Sequence, residues 1–124
     1  MSKRRVVITG LGAVTPVGND IPAFWAAIQE GKCGVAPITL YDTENNKCKL
    51  AAEVKDFQPE QFLDKKELRH MDRFTQFALV AAREAMQDSG LNMEQEDATR
   101  CGTVVSSGIG GIPTPGGGDS QGSL

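Results

Sequence analysis

Blocks of apolar residues divide this chain, and their spacing predicts what each block becomes. Val6-Val7-Ile8-Thr9, entered through Arg4-Arg5, is β-branched and apolar without alternation. A strand with one wet face alternates, so an unbroken run over 4–9 predicts a strand covered on both faces, as in a parallel or mixed central sheet. Gly10-Leu11-Gly12 ends it, and Thr15-Pro16-Val17-Gly18 reads as a loop. Asn19 or Asp20 then caps a helix with Pro22 in its first turn, Phe24, Trp25 and Ile28 on its apolar side, and Gly31 just past its end. From Cys33 to Phe57 the pattern thins. Residues 35–40 and 50–54 read as short strands around a polar excursion over 42–49.

Asp64-Lys65-Lys66-Glu67 resembles a capping box, in which the Asp oxygen takes a backbone N–H and Glu67 reaches back. A long helix follows, broken near Met71-Asp72 and ending at Ser89-Gly90, where Gly90 suits the left-handed position after a helix. Phe74, Phe77, Leu79, Val80, Met86 and the alanines between them spread around most of its circumference, leaving only Gln76, Arg83 and Gln87 as a polar strip. A helix apolar nearly all round is a buried helix. A chain of 124 residues can seldom surround one, so part of its wall is expected from residues or subunits outside this sequence. Cys101-Gly102-Thr103-Val104-Val105-Ser106-Ser107 predicts a second covered strand, and Ser107 to Gly111 a flexible turn. After Ile112 the composition turns to Pro, Gly and Ser, too poor in apolar side chains to offset its own ordering entropy. The expected organisation is therefore a folded unit over 1–112 and a flexible tail over 113–124, with no internal repeat.

Charge and composition narrow the function classes. Thirteen Lys and Arg against 16 Asp and Glu give a net charge of −3, which argues against a nucleic-acid partner, since phosphate neutralisation needs a clustered basic surplus. The single basic run, Lys3-Arg4-Arg5, reads as a solvated strand entrance. Lys3 to Ile8 imitates a signal peptide, but Gly10, Gly12 and Pro16 interrupt the apolar run, and nothing approaches a membrane span. A cytoplasmic location is expected. Cys33, Cys48 and Cys101 contain no Cys-x-x-Cys pair and His70 is the sole histidine, so reduced thiols are expected rather than a zinc site or a disulfide framework.

The residues that could carry chemistry resolve mostly into structural roles. Gly10-x-Gly12 after a strand looks like the start of a dinucleotide fingerprint, but Thr15 stands where the third glycine belongs and Pro16 where the helix should be running. A tight turn is the better reading. Ser106-Ser107-Gly108-Ile109-Gly110-Gly111 lacks the Gly-Lys-Ser/Thr of a phosphate loop and the Gly-x-Ser-x-Gly of a hydrolase elbow. Glycines at the end of a covered strand still leave substrate contact open there. His70, the one imidazole, lies among Lys65, Lys66, Arg69 and Arg73 with no nucleophile nearby in sequence, and reads as a surface or interface residue. Cys101 in a covered strand and Cys33 in a loop read as inert thiols. Asp42, Glu44, Asp56, Glu60, Asp64 and Asp72 have no spacing that specifies a metal or an acid–base pair. No catalytic residue, metal or cofactor is expected from the residues themselves.

The order of the segments nevertheless resembles a known family. Arg4-Arg5-Val6-Val7-Ile8-Thr9-Gly10-Leu11-Gly12 with Thr15-Pro16-Val17-Gly18-Asn19 is similar to the opening of the β-ketoacyl-acyl-carrier-protein synthases. Gly31-x-x-Gly34-Val35-x-Pro37-Ile38, Met71-Asp72-Arg73-Phe74-Thr75-Gln76-Phe77-Ala78, Ala85-Met86-Gln87-Asp88-Ser89-Gly90-Leu91 and Ser107-Gly108-Ile109-Gly110-Gly111 continue it in the family's order. The likeness covers 4–112 and is nearest to the elongating synthase II of bacterial fatty acid synthesis, with polyketide ketosynthases next. It implies an α/β chain forming the N-terminal part of the thiolase-like αβαβα layered fold, usually in a homodimer. Its second sheet would be the missing wall of the long helix.

The family reaction is a decarboxylative Claisen condensation between an acyl group, delivered by acyl carrier protein to a cysteine thiolate, and malonyl-acyl carrier protein. Two histidines assist decarboxylation and backbone N–H groups hold the oxyanion. The cysteine and both histidines lie downstream of the Ser-Gly-Ile-Gly-Gly turn in the family and have no counterpart here. What the resemblance carries over is Ile109 as a residue lining and gating the acyl pocket, with Gly108 and Gly110 giving that gate its backbone freedom. The expectation is an N-terminal fragment without catalysis of its own. The rival reading is a non-catalytic piece that folds by docking on a complementary chain; a nucleotide-binding module built on Gly10-x-Gly12 is the remote third.

Overall fold

The computed structural model describes residues 3–111, so the tail expected over 113–124 lies outside the described residues. Helix α1 spans Ile21–Gln29. Strands β1 (Val35–Pro37) and β2 (Leu50–Ala52) follow, then a 3₁₀ turn at Pro59–Gln61, the short helix α2 (Lys65–Leu68), the long helix α3 (Arg73–Ser89) and a last 3₁₀ turn at Ala98–Arg100.

The helix signals act where the sequence places them. Asp20 caps α1, its Oδ1 accepting from Ala23 N at 2.7 Å, with Pro22 in the first turn. Gly31, two residues past the helix, takes φ 67°. Asp64 caps α2 by accepting from Lys66 N at 2.7 Å, which is the first half of the expected capping box; among the described residues Glu67 makes no return bond. The chain then breaks at Met71-Asp72 and restarts as the 17-residue α3, which Gly90 terminates at φ 64°. A side chain there would be strained, which is why glycine ends the helix.

The two short strands also form. They pair antiparallel with Val35 opposite Ala52, Ala36 opposite Ala51 and Pro37 opposite Leu50. Beyond the hairpin, the Glu53 carboxylate accepts from Thr39 N at 2.9 Å, Thr39 Oγ1 at 2.7 Å and Leu40 N at 3.2 Å, closing the base of the polar excursion. These bonds, the Thr39 hydroxyl above all, hold the Glu53 carboxyl below the usual carboxylate range.

Two expected strands do not form. Residues 4–9 and 101–107 are without ladder partners, and Val6 (92% exposed), Ile8 (81%) and Val104 (96%) lie in solvent. Cys101, expected inside such a strand, is exposed. The physical reason is that a strand gains its stability from neighbours and from covered faces, and among the described residues neither run has them.

The core is correspondingly slight. Ala27 on α1, Val80 on α3 and Pro59 are the buried residues among those described. One side of α3 is packed and the other is not. Leu79, Ala82 and Met86, spaced three and four apart and hence on one stripe, face outward, with Leu79 38% and Met86 40% exposed. The helix read as buried is therefore covered on one side only.

Candidate functional site

Helix α3 organises everything that could be a site, through three contacts along its length. At its C-terminal half, Gly10 and Gly12 lie on the backbone of Ala81, Ala85 and Ser89. A Cβ on Gly12 would overlap the Ala81 carbonyl, and one on Gly10 the Ala85 carbonyl. The alternate residues turn their amides to acidic side chains on the same helix. Leu11 N donates to Asp88 Oδ2 at 2.9 Å, and Ala13 N to Glu84 Oε2 at 2.9 Å. The other Glu84 oxygen accepts from Ile21 N, the first amide of α1, at 2.7 Å. Glu84 thus ties the opening segment, α1 and α3 together.

This arrangement settles the role of Gly10-x-Gly12. The glycines serve close packing on a helix rather than a tight turn, since the segment runs on without a turn to Val14. Its amides are committed to carboxylates, which repel the pyrophosphate that a dinucleotide fingerprint would hold. The loop at Thr15-Pro16-Val17-Gly18 closes on itself, Thr15 N donating to Gly18 O at 2.8 Å and Gly18 N to Thr15 O at 3.3 Å.

In the middle of α3, Phe77 meets Phe57 edge to face at 4.9 Å between ring centroids. The Arg73 guanidinium lies 5.2 Å from the Phe77 centroid and 5.9 Å from that of Phe57, and its Nη2 donates to Val54 O at 3.0 Å. Arg83 donates to the Phe62 carbonyl. A cleft of about 390 Å³ opens beside these groups, lined by Phe57, Phe62, Val80 and Arg83 with Asn19 and Glu84 at its α1 side.

At its N-terminus α3 touches the turn that the sequence singled out. Ser107 Oγ accepts from Gly110 N at 2.9 Å, which places Ile109 at the apex of the bend, 80% exposed. Gly110 takes φ 83°, and Gly111 lies directly against the Asp72 carboxylate. Gly108, Ile109 and Gly110 are therefore together on one turn beside the start of α3.

The remaining candidates stay apart. Cys33, Cys48 and Cys101 are exposed, and His70 is exposed in the turn between α2 and α3. Among the described residues no group of three or more His, Cys, Asp or Glu could hold a metal ion, and no helix is long and apolar enough to cross a membrane. Sequence reasoning missed Glu84 and Asp88 as organising residues. Both look like ordinary polar positions on a helix, and their partners lie 71 and 77 residues away.

Comparison with known proteins gives one consistent answer. The family model for the β-ketoacyl synthase N-terminal domain matches residues 3–122. The chain is 50% identical over 113 residues to 3-oxoacyl-[acyl-carrier-protein] synthase 2 of Coxiella burnetii, covering 91% of this chain and 27% of that protein. It is 44% identical over 112 residues to the enzyme of the same name from Synechocystis, again covering 27% of its length. Among solved structures, the ishigamide ketosynthase/chain length factor superposes with a TM-score of 0.68 at 38% identity, over 75% of this chain and 23% of that one. A β-ketoacyl synthase from Burkholderia phymatum follows with a TM-score of 0.59 at 29% identity, over the same shares of the two chains. This chain thus spans about a quarter of the length of its curated relatives. With glycines, caps and α3 in the family's order and a family model matching nearly end to end, the chain belongs to the β-ketoacyl synthase family, through its N-terminal domain.

Proposed function

We propose that this chain supplies the N-terminal portion of an elongating β-ketoacyl-acyl-carrier-protein synthase of fatty acid synthesis and has no condensing activity alone. The observation that carries the reading is the 50% identity, over 91% of the chain, to an enzyme named 3-oxoacyl-[acyl-carrier-protein] synthase 2. Acyl-acyl carrier protein and malonyl-acyl carrier protein are its partners. The working form is a cytoplasmic homodimer.

In the reaction an enzyme cysteine thiolate attacks the acyl carrier thioester, taking the acyl group and releasing the carrier's thiol. The malonyl unit then loses carbon dioxide, and its α-carbon attacks the enzyme-bound acyl carbonyl, forming the carbon–carbon bond and releasing the cysteine thiolate. Three groups carry that chemistry, a cysteine and two histidines, and the motifs that hold them have no match among Cys33, Cys48, Cys101 and His70. This chain's contribution is architectural. Helix α3 presents its Leu79, Ala82 and Met86 stripe to the second sheet, and Gly108, Ile109 and Gly110 form one wall and gate of the acyl pocket.

Incubating the chain with both carrier-protein substrates yields no ketoacyl product. Turnover that disappears on replacing Cys33 or Cys101 would overturn the proposal. The rival reading, a non-catalytic piece that docks on a complementary chain, takes its support from the exposed Val6, Val7, Ile8, Val104 and Val105. Exposed apolar edges of that kind drive association, so the chain elutes as an oligomer under either reading, and a well-folded monomer on size exclusion counts against both.

A further inference from the structure

The Ser107–Gly111 turn has a seat, and the seat belongs to α3. Asp72 occupies the N-cap position of α3, yet its side chain accepts no capping hydrogen bond from the helix. The carboxylate instead fills the space that a side chain at Gly111 would take. A Cβ built there would overlap the carboxylate and stand 3.3 Å from Asp72 Cβ. Phe74 lies close by, and a Cβ built on Gly110 would stand 3.8 Å from its Cζ, at ordinary van der Waals distance.

Arg73, between them, is held on another side. Its guanidinium bonds Val54 O at 3.0 Å and lies over the Phe57 and Phe77 rings, fixing the first turn of α3 against the 54–57 segment. Residues 72 and 74 are therefore presented from an anchored helix start, while Ile109 stands exposed at the apex of the turn. Within the turn, the Ser107 Oγ bond to Gly110 N at 2.9 Å holds the bend closed.

We propose that Asp72 is a positioning residue that seats Gly111 against the start of α3 and thereby sets where Ile109 points. The seat acts by shape: the Asp72 carboxyl matches the bare α-carbon of Gly111, and any atom added there displaces the turn. The inference deepens the reading of Ile109 as a pocket residue and rests on that reading for its effect on acyl chains. The glycine at 111 is thus explained by what it lies against rather than by backbone freedom, which Gly110 at φ 83° supplies.

The test follows the Ile109 δ1-methyl signal by NMR in the full chain carrying Gly111→Ala, Asp72→Ala, both together, or Asp72→Asn. Gly111→Ala moves the signal when Asp72 is present and moves it much less when residue 72 is already alanine, because the overlap with the carboxylate has gone and only the 3.3 Å approach to the residue 72 Cβ remains. Asp72→Ala moves it, and the isosteric Asp72→Asn leaves it in place. An Ile109 signal indifferent to Asp72→Ala, or equally displaced by Asp72→Asn, overturns the seat. Should Gly111→Ala fail to fold, those two single variants decide alone. The same substitutions, in this chain joined to the remaining length of the Coxiella relative, shift the distribution of product chain lengths. A displaced methyl with unchanged products leaves the seat standing and refutes Ile109 as a pocket residue.

Discussion

Replacing Glu84 should unfasten two segments at once, and the size of the effect can be worked from the structure. Its Oε2 accepts from Ala13 N at 2.9 Å and its Oε1 from Ile21 N at 2.7 Å, both partly buried. Ile21 is the first residue of α1, so its amide has no partner within the helix and its partial positive charge favours a carboxylate. A hydrogen bond to a charged group contributes about 1.5–3 kcal/mol net. Glu84→Gln keeps one acceptor oxygen and turns an NH₂ toward the other amide, so one bond is lost, at a cost of about 1.5–3 kcal/mol. At about 1.4 kcal/mol per factor of ten, that amide exchanges with solvent roughly 10- to 100-fold faster. Glu84→Ala removes both acceptors, and both amides accelerate. Hydrogen exchange followed by NMR reads Ala13 and Ile21 separately, and Gln87→Ala, an exposed change on the same helix, serves as the control at within about 0.5 kcal/mol. If both amides in Glu84→Ala exchange within about twofold of the unaltered chain, the carboxylate is not what joins these segments.

Two further outcomes follow from the same contacts. Gly12→Ala forces a methyl into the Ala81 carbonyl, and since backbone yields less than a side chain, the cost is at or above the usual ~1–3 kcal/mol of overpacking; loss of protection at the Leu11 and Ala13 amides reports it, and unchanged protection would show that the segment does not lie on α3. Glu53 has its folded-state pKa lowered, so its contribution to the β1–β2 hairpin is complete above the unfolded carboxyl value and is lost as pH falls through the lower, folded value. Thr39→Val removes the largest cause and moves the Glu53 titration, followed by its carboxyl carbon signal, up toward the ordinary range; a titration that does not move shows that the Thr39 hydroxyl is not the cause.

How much of this could be read in the sequence depended on the range of the interaction. Local signals were legible. Asp20 with Pro22, the Asp64 cap, the break at Met71-Asp72 and the left-handed Gly90 each act within a few residues, and each appears where it was expected. The apolar runs at 4–9 and 101–107 carry the composition of covered strands, but composition does not supply a neighbour, and the described residues contain none for them. Gly10 and Gly12 show a different limit. Their glycines were visible, whereas the helix backbone they rest on is more than 65 residues away, so a tight turn was the nearest explanation local pattern could offer. Asp72 was legible as part of a break in the helix and not as the neighbour of Gly111, for the same reason. Membership of the family was legible because many short motifs recur in one order, a signal that no single motif carries.

The most direct test joins this chain, in place of the equivalent N-terminal segment, to the remaining length of the Coxiella synthase and supplies acyl- and malonyl-acyl carrier protein. The joined protein is expected to yield a ketoacyl product and the 124-residue chain by itself none. A joined protein that folds and dimerises yet makes no product, or a lone chain that condenses its substrates, would contradict that expectation.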